Sequence, residues 1–230
     1  MPIHLHQTAP LAERVMLPGD PGRALRLAQE LLDAPKMFNH NRGLWGYTGT
    51  AGDGDPLTIQ ATGIGGPSVA IVVSELIELG ARRLLRVGTC GGLHPGLELG
   101  DLLVASHAIC DDGSSRALGA GDRVASSPTL LAGLLDAGGA AVSCGPVVST
   151  DLFYDAGDRH HGWREVGALA VEMEAATLFV LAERRGVQAG CALLVSGMLN
   201  GPPARLEADE LHAAELRLGQ LALAGFTGGG

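Results

Sequence analysis

The chain has 230 residues, 46% of them hydrophobic but only 3% aromatic, and its formal net charge is −9. That length suits one domain over residues 1–230 with a sizeable aliphatic core. The acidic balance argues against a general nucleic-acid binder, which needs a basic face, and no apolar run approaches the roughly 20 residues of a membrane span.

Short apolar runs at 14–19 (RVMLPG), 57–63 (LTIQATG), 83–88 (RLLRVG), 101–110 (DLLVASHAIC), 140–148 (AAVSCGPVV), 168–171 (ALAV) and 191–196 (CALLVS) predict strands. Between them lie helical stretches. Residues 22–33 follow GDP, with Pro21 placed for a first turn. Residues 67–79 begin at Pro67 and stop at Gly80, and 174–185 stop at Gly186 in the same way. Residues 207–224 read as a terminal amphipathic helix, and the polar stretch 111–127 reads as a surface loop or hairpin. Strand–helix alternation of this kind implies an α/β layer architecture with a mixed or mostly parallel sheet. Cys90, Cys110, Cys144 and Cys191 form no C-x-x-C pair and read as small buried thiols, in a reducing compartment and without a metal role. The opening MPIHLHQTAP has no basic n-region and no long apolar stretch, so no secretory leader and a cytoplasmic location are expected.

Three stretches carry chemistry suited to an anion. LPGDPGR (17–23) leaves a strand and enters a helix, with Gly19 allowing close backbone approach and Arg23 one turn in. RVGTCGG (86–92) reads as a second strand end, with Arg86, a glycine turn and the Thr89 hydroxyl. Arg42 lies in NHNRGLWGYTG (39–49). Guanidinium forks donate paired bonds to phosphate, although any one of these arginines alone reads equally as a solvated residue. GDPGR lacks the G-K-[ST] ending of a Walker loop, and TGIGGPS (62–68) lacks Rossmann spacing. VEMEAA (171–176) sets Glu172 and Glu174 around Met173 in an apolar run, where an unpaired carboxylate is costly.

Taken in order, LPGDPGR, RGLWGYTG, TGIGGPS, LLRVGTCGG, STDLFY and VEMEAA resemble the purine nucleoside/uridine phosphorylase family of the bacterial hexameric type. The resemblance runs from about residue 3 to residue 196 and implies a three-layer α/β fold with a central mixed sheet. It also implies cleavage of a nucleoside by inorganic phosphate as co-substrate, to free base and ribose 1-phosphate, with no cofactor and no metal. By the same resemblance Gly19, Arg23, Arg42, Arg86 and Thr89 bind phosphate. His4, Glu172, Met173 and Glu174 hold the ribose, while Phe153, Arg159, Ser196 and Gly197 surround the base. His4 and Arg42 would reach in from a neighbouring subunit, which implies a homo-oligomer, a hexamer built as a trimer of dimers.

The pattern breaks at the base. Purine-cleaving members carry Ser-Asp where this chain has Ser196 and Gly197, and the assisting Arg is replaced near Glu210. Asn200 remains as a catalytic hydrogen-bonding residue that cannot protonate the base, which favours 6-oxopurines over adenosine. The uridine branch stays open as an alternative, although its Gln-x-Arg reader falls on Gly157 and Arg159. A water-using nucleosidase and a non-catalytic nucleoside binder are the remaining readings.

Overall fold

The computed structural model describes residues 2–154, 159–199 and 204–227. In chain order the strands are β1 (Arg14–Leu17), β2 (Leu32–Asn39), β3 (Gly46–Ala51), β4 (Pro56–Gln60), β5 (Arg83–Gly92), β6 (Leu102–Asp111), β7 (Arg123–Ala125), β8 (Val142–Thr150), β9 (Ala170–Glu172), β10 (Gln188–Met198) and β11 (Ala204–Arg205). The helices are α1 (Pro21–Leu31), α2 (Gly66–Leu79), α3 (Gly113–Ala117), α4 (Pro128–Gly138), α5 (Arg159–Glu165), α6 (Ala175–Arg185) and α7 (Ala208–Gly225). The strands form one mixed sheet, and the expected α/β architecture with a central mixed sheet is what the chain adopts.

The sheet closes on itself at one end. β5 pairs with β10, β10 with β6, β6 with β8, β8 with β9, and β9 returns to β5. Beyond β5 the sheet continues through β1, β4, β3 and β2. Helices α2 and α6 supply one apolar cluster, with Val72, Leu76, Leu178 and Phe179 against Leu84 and Leu193. Helices α1, α4 and α7 supply another, with Leu27, Leu134 and Leu218 against Leu85 and Leu194. Alternate residues of β5 and β10 thus feed opposite cores, as the two-residue strand period requires.

Local signals explain most boundaries. Asp20 caps α1 by accepting from Gly22 N at 3.1 Å and Arg23 N at 2.7 Å. Gly80 and Gly186 end α2 and α6 in the left-handed region, at φ 117° and 65°. Helix α7 opens with a capping box between Glu207 and Glu210.

Several expectations change. The helix placed at 22–33 ends at Leu31, and the chain turns directly into β2, which pairs antiparallel with β3. The stretch 111–127 is not a plain loop: Asp112 caps α3 through Ser115 N, and Arg123–Ala125 adds β7 to β6. The turn expected at Gly88 is absent, because β5 runs on to Gly92. Cys90, Cys110 and Cys191 are buried as expected, whereas Cys144 is exposed near the start of β8.

Candidate active site

Strand direction assembles the site. β9 runs antiparallel to β5, with Gly91 opposite Val171, so the chain beyond Val171 heads back along β5. It delivers Glu172 and Glu174 to the side chain of Arg86. Arg86 Nε donates to Glu172 Oε2 at 2.9 Å, and Arg86 Nη2 pairs with Glu174 Oε2. All three side chains are almost wholly buried. Burial opposes the arginine's charge, but the carboxylates of Glu174 and Glu172 outweigh it and hold its pKa above the ordinary value. Burial likewise raises Glu172, against the pull of Arg86. Gly88 makes room for this arrangement: a Cβ there would stand 2.6 Å from Arg86 Nη2.

The two carboxylates are not equivalent. Glu172 accepts from Arg86, from Glu174 N at 2.9 Å, from Ala175 N at 3.0 Å and from the Ser149 hydroxyl. Protein donors therefore occupy both its oxygens, and it organises Arg86 and the start of α6 rather than offering itself to a ligand. Glu174 accepts Gly65 N at 2.5 Å on one oxygen and Arg86 on the other. A carboxylate has about four lone-pair sites, so about two remain for donors of a ligand. Glu174 also stands at the N-cap of α6 without capping it, a local bond given up to hold Arg86 and Gly65. Met173, between the two acids, is half-buried.

Gly19 and the TGIGGPS loop close over the same arginine. A Cβ on Gly19 would meet Gly63 O at 3.1 Å and Arg86 Nη1 at 4.0 Å, so the bare backbone brings the β1–α1 turn against it. Gly65 adopts φ 87°, which directs its N–H at Glu174. The α1 N-terminus itself is not open to an anion as the sequence suggested, since Asp20 takes the N–H groups of Gly22 and Arg23. Arg23 is buried and engaged: Nε donates to Glu215 Oε1 of α7 at 2.8 Å, and Nη1 donates to Val87 O at 3.2 Å. Arg26 holds the other Glu215 oxygen at 2.6 Å. Thr89 lies half-buried within β5, not in a turn beyond it.

His4 and the turn that carries Arg42 are joined to each other. His4 Nδ1 lies 2.7 Å from Glu75 Oε1 of α2, and Asn41 Nδ2 donates to His4 O at 3.0 Å. Arg42 is exposed in the turn Asn41–Gly43 at φ 57°, and no hydrogen bond or ion pair links it to the Arg86 cluster among the described residues. Glu75 also accepts the N–H groups of Ile3, His4 and Leu5. Burial alone would raise its pKa, but the hydrogen bonds from His4 and from residues 3–5 override that and hold it at about 2. A depressed carboxylate stabilises the fold above its ordinary value of 4.5 and loses that contribution as pH falls toward about 2. Glu75→Gln is therefore expected to speed amide exchange at residues 3–5 about tenfold or more at neutral pH. The unaltered chain should show such release only on acidification below 4.5. Equal exchange rates at neutral pH would contradict this anchoring.

The residues expected around a base lie near the ends of β8, β10 and β11, with Arg159 on α5. Phe153 is 61% exposed, with its ring edge-on to Tyr154 at 5.0 Å, so it is not a core residue. Ser196 is a bulge: Val195 pairs with Cys90 and Gly197 with Gly91, which leaves Ser196 between them, its hydroxyl 3.5 Å from Cys90 O. Gly197 pairs antiparallel with Arg205, and Arg205 lies 5.7 Å from the Phe153 ring centroid. Arg159 is held by Asp111 and the Thr150 hydroxyl at 3.3 Å each and lies over Trp163. Asn200 and Gly157 lie outside the described residues. Ser149, Glu75, Glu215 and Arg205 escaped the sequence reading, because each meets its partner across a long sequence separation and belongs to no local pattern.

Comparison with known proteins shows the family. The family model described as the phosphorylase superfamily matches residues 13–225. A purine nucleoside phosphorylase DeoD-type of Geobacillus kaustophilus is 36% identical over 224 residues, covering 94% of each chain. A guanosine phosphorylase of Halorubrum lacusprofundi is 40% identical over 192 residues, covering 81% of this chain and 79% of that protein. A further purine nucleoside phosphorylase DeoD-type, from an Exiguobacterium species, is 38% identical over 210 residues, covering 86% and 87% of the two chains.

Proposed function

This chain belongs to the phosphorylase superfamily, and we propose that it cleaves purine nucleosides with inorganic phosphate, 6-oxopurines such as guanosine and inosine being favoured. The products are the free base and ribose or deoxyribose 1-phosphate. The reading rests above all on Arg86, a buried cation bracketed by Glu172 and Glu174 beside the bare backbone of Gly19. Hydrolysis needs no anion cradle, whereas phosphorolysis must hold a charged nucleophile beneath the sugar.

The chemistry follows from charge. As the C1′–N9 bond lengthens, positive charge grows at C1′, and a phosphate oxygen lies ready to attack it. Arg86, with Gly19 and Thr89, fixes that phosphate, while Arg23, whose Nε and Nη1 are taken by Glu215 and Val87 O, contributes its charge. Glu174 accepts the ribose hydroxyls, with Met173 against the sugar. Phe153 stacks on the base, and Ser196 and Asn200 hydrogen-bond near it. Fixed donors and acceptors aimed at developing charge are worth roughly 10²–10³ in rate each. The scheme needs no metal and no organic cofactor. Arg159, the surviving half of a pyrimidine reader, is turned onto Asp111, which supports purine over uridine.

The site is completed in an oligomer, a hexamer arranged as a trimer of dimers. His4 and Arg42 share one face, whose segments also expose Ile3, Trp45, Ile64 and Ile71. A mixture of Arg42→Ala and Glu174→Gln chains, dissociated and reassembled, is expected to recover activity that neither variant has alone. Activity of Arg42→Ala equal to that of the unaltered protein would contradict a role for Arg42 in a neighbour's site.

The substrate reading is tested by base release from guanosine, inosine, adenosine and uridine, each with and without phosphate. Phosphate-dependent release from guanosine and inosine, well above adenosine, is expected. Release from uridine alone would move the chain to the pyrimidine branch.

A further inference from the structure

We propose that Arg205 takes over the work of the missing acid, reading O6 and N7 of a 6-oxopurine and stabilising the base as it leaves. The proposal deepens the phosphorolysis reading and rests on it. Its observations lie at the base end of the site. Gly197 offers no side chain where an acid is expected, and its strand partner across β10–β11 is Arg205. A Cβ on Gly197 would lie 3.7 Å from Arg205 Cγ, so the arginine stem fills the space beside that position. The guanidinium carbon lies 5.7 Å from the Phe153 ring centroid. The guanidinium thus lies over the ring of the largely exposed Phe153, and a purine stacking on that face would displace it toward the purine rim.

The fork fits one class of base. In guanine and hypoxanthine O6 and N7 are adjacent acceptors, the pair that an arginine meets with two parallel N–H bonds. Adenine offers a donor at position 6, and donor would face donor. When the C1′–N9 bond breaks, its electron pair passes to the purine, and a phosphate oxygen forms the new C1′–O bond. In a 6-oxopurine the resulting negative charge spreads to O6 and N7, where Arg205 donates hydrogen bonds and keeps its own protons. The base takes its proton from water after release.

Arg205→Met keeps an unbranched apolar stem on the exposed side chain and removes the fork, while β10–β11 pairing uses backbone alone. The readout is kcat/KM for guanosine, inosine, adenosine and 7-methylguanosine, whose cationic purine departs neutral and needs no stabilised anion. We expect guanosine and inosine to fall about 10²-fold, mainly in kcat, and adenosine and 7-methylguanosine to change less than about threefold. Arg205→Lys, which keeps the charge but not the fork, should fall between. An equal loss on all four substrates, as a structural role would give, overturns the proposal, and so does an unchanged guanosine-to-adenosine ratio. If the unaltered protein releases no base from guanosine in phosphate, the phosphorolysis reading itself fails; activity with an unaltered ratio removes only Arg205.

Discussion

Glu174→Gln is expected to lower kcat/KM for guanosine by about 10²–10³-fold. One oxygen of Glu174 accepts Gly65 N–H, and the other pairs with Arg86. An amide has one acceptor oxygen, so its NH2 must face either the Arg86 guanidinium or the Gly65 N–H, donor against donor. The acceptor sites left for the sugar hydroxyls are weakened at the same time. Steady-state kinetics at saturating phosphate check this, with circular dichroism to confirm that the variant folds. A rate within threefold of the unaltered protein would remove Glu174 from the account.

Arg86→Ala carries the second large effect, in stability as well as in rate. It leaves Glu172 and Glu174 buried without their counter-charge, and breaking a buried pair in this way costs about 3–5 kcal/mol. Thermal unfolding of Arg86→Ala should show a marked drop. Arg86→Lys separates folding from function: it keeps the charge but loses the fork that reaches two carboxylates and phosphate together. Its KM for phosphate is expected to rise about tenfold or more, while the KM for guanosine moves much less. An unchanged phosphate dependence would point to water as the nucleophile.

The sequence made the apolar framework legible and left the polar framework hidden. Strands such as β1, β6 and β10 declare themselves as short apolar runs because both faces are covered by helices. Helix ends at Gly80 and Gly186 follow from the left-handed backbone there. β2 gave no such signal: LDAPKMFN carries Pro35, Asp33 and Lys36, and most of it is exposed at the sheet edge. The glycines of RVGTCGG read as a turn, yet they lie inside β5, where Gly88 gives space to Arg86. Motifs brought Arg86, Glu172 and Glu174 forward, but not the bonds among them. Only the fold distinguishes Glu172, saturated by protein donors, from Glu174, which has acceptor sites to spare. The bond from Arg23 to Glu215 joins residues 192 apart, and no local spacing could have announced it.

Phosphate is the proposed nucleophile, and phosphorus NMR of a guanosine reaction tests that most directly. With inorganic phosphate present, ribose 1-phosphate is expected to appear in step with guanine, in equal amounts. Without phosphate, guanine release should stop. Guanine release at the same rate in phosphate-free buffer, with free ribose as the only sugar product, would contradict the role given to Arg86 and the proposed phosphorolysis with it.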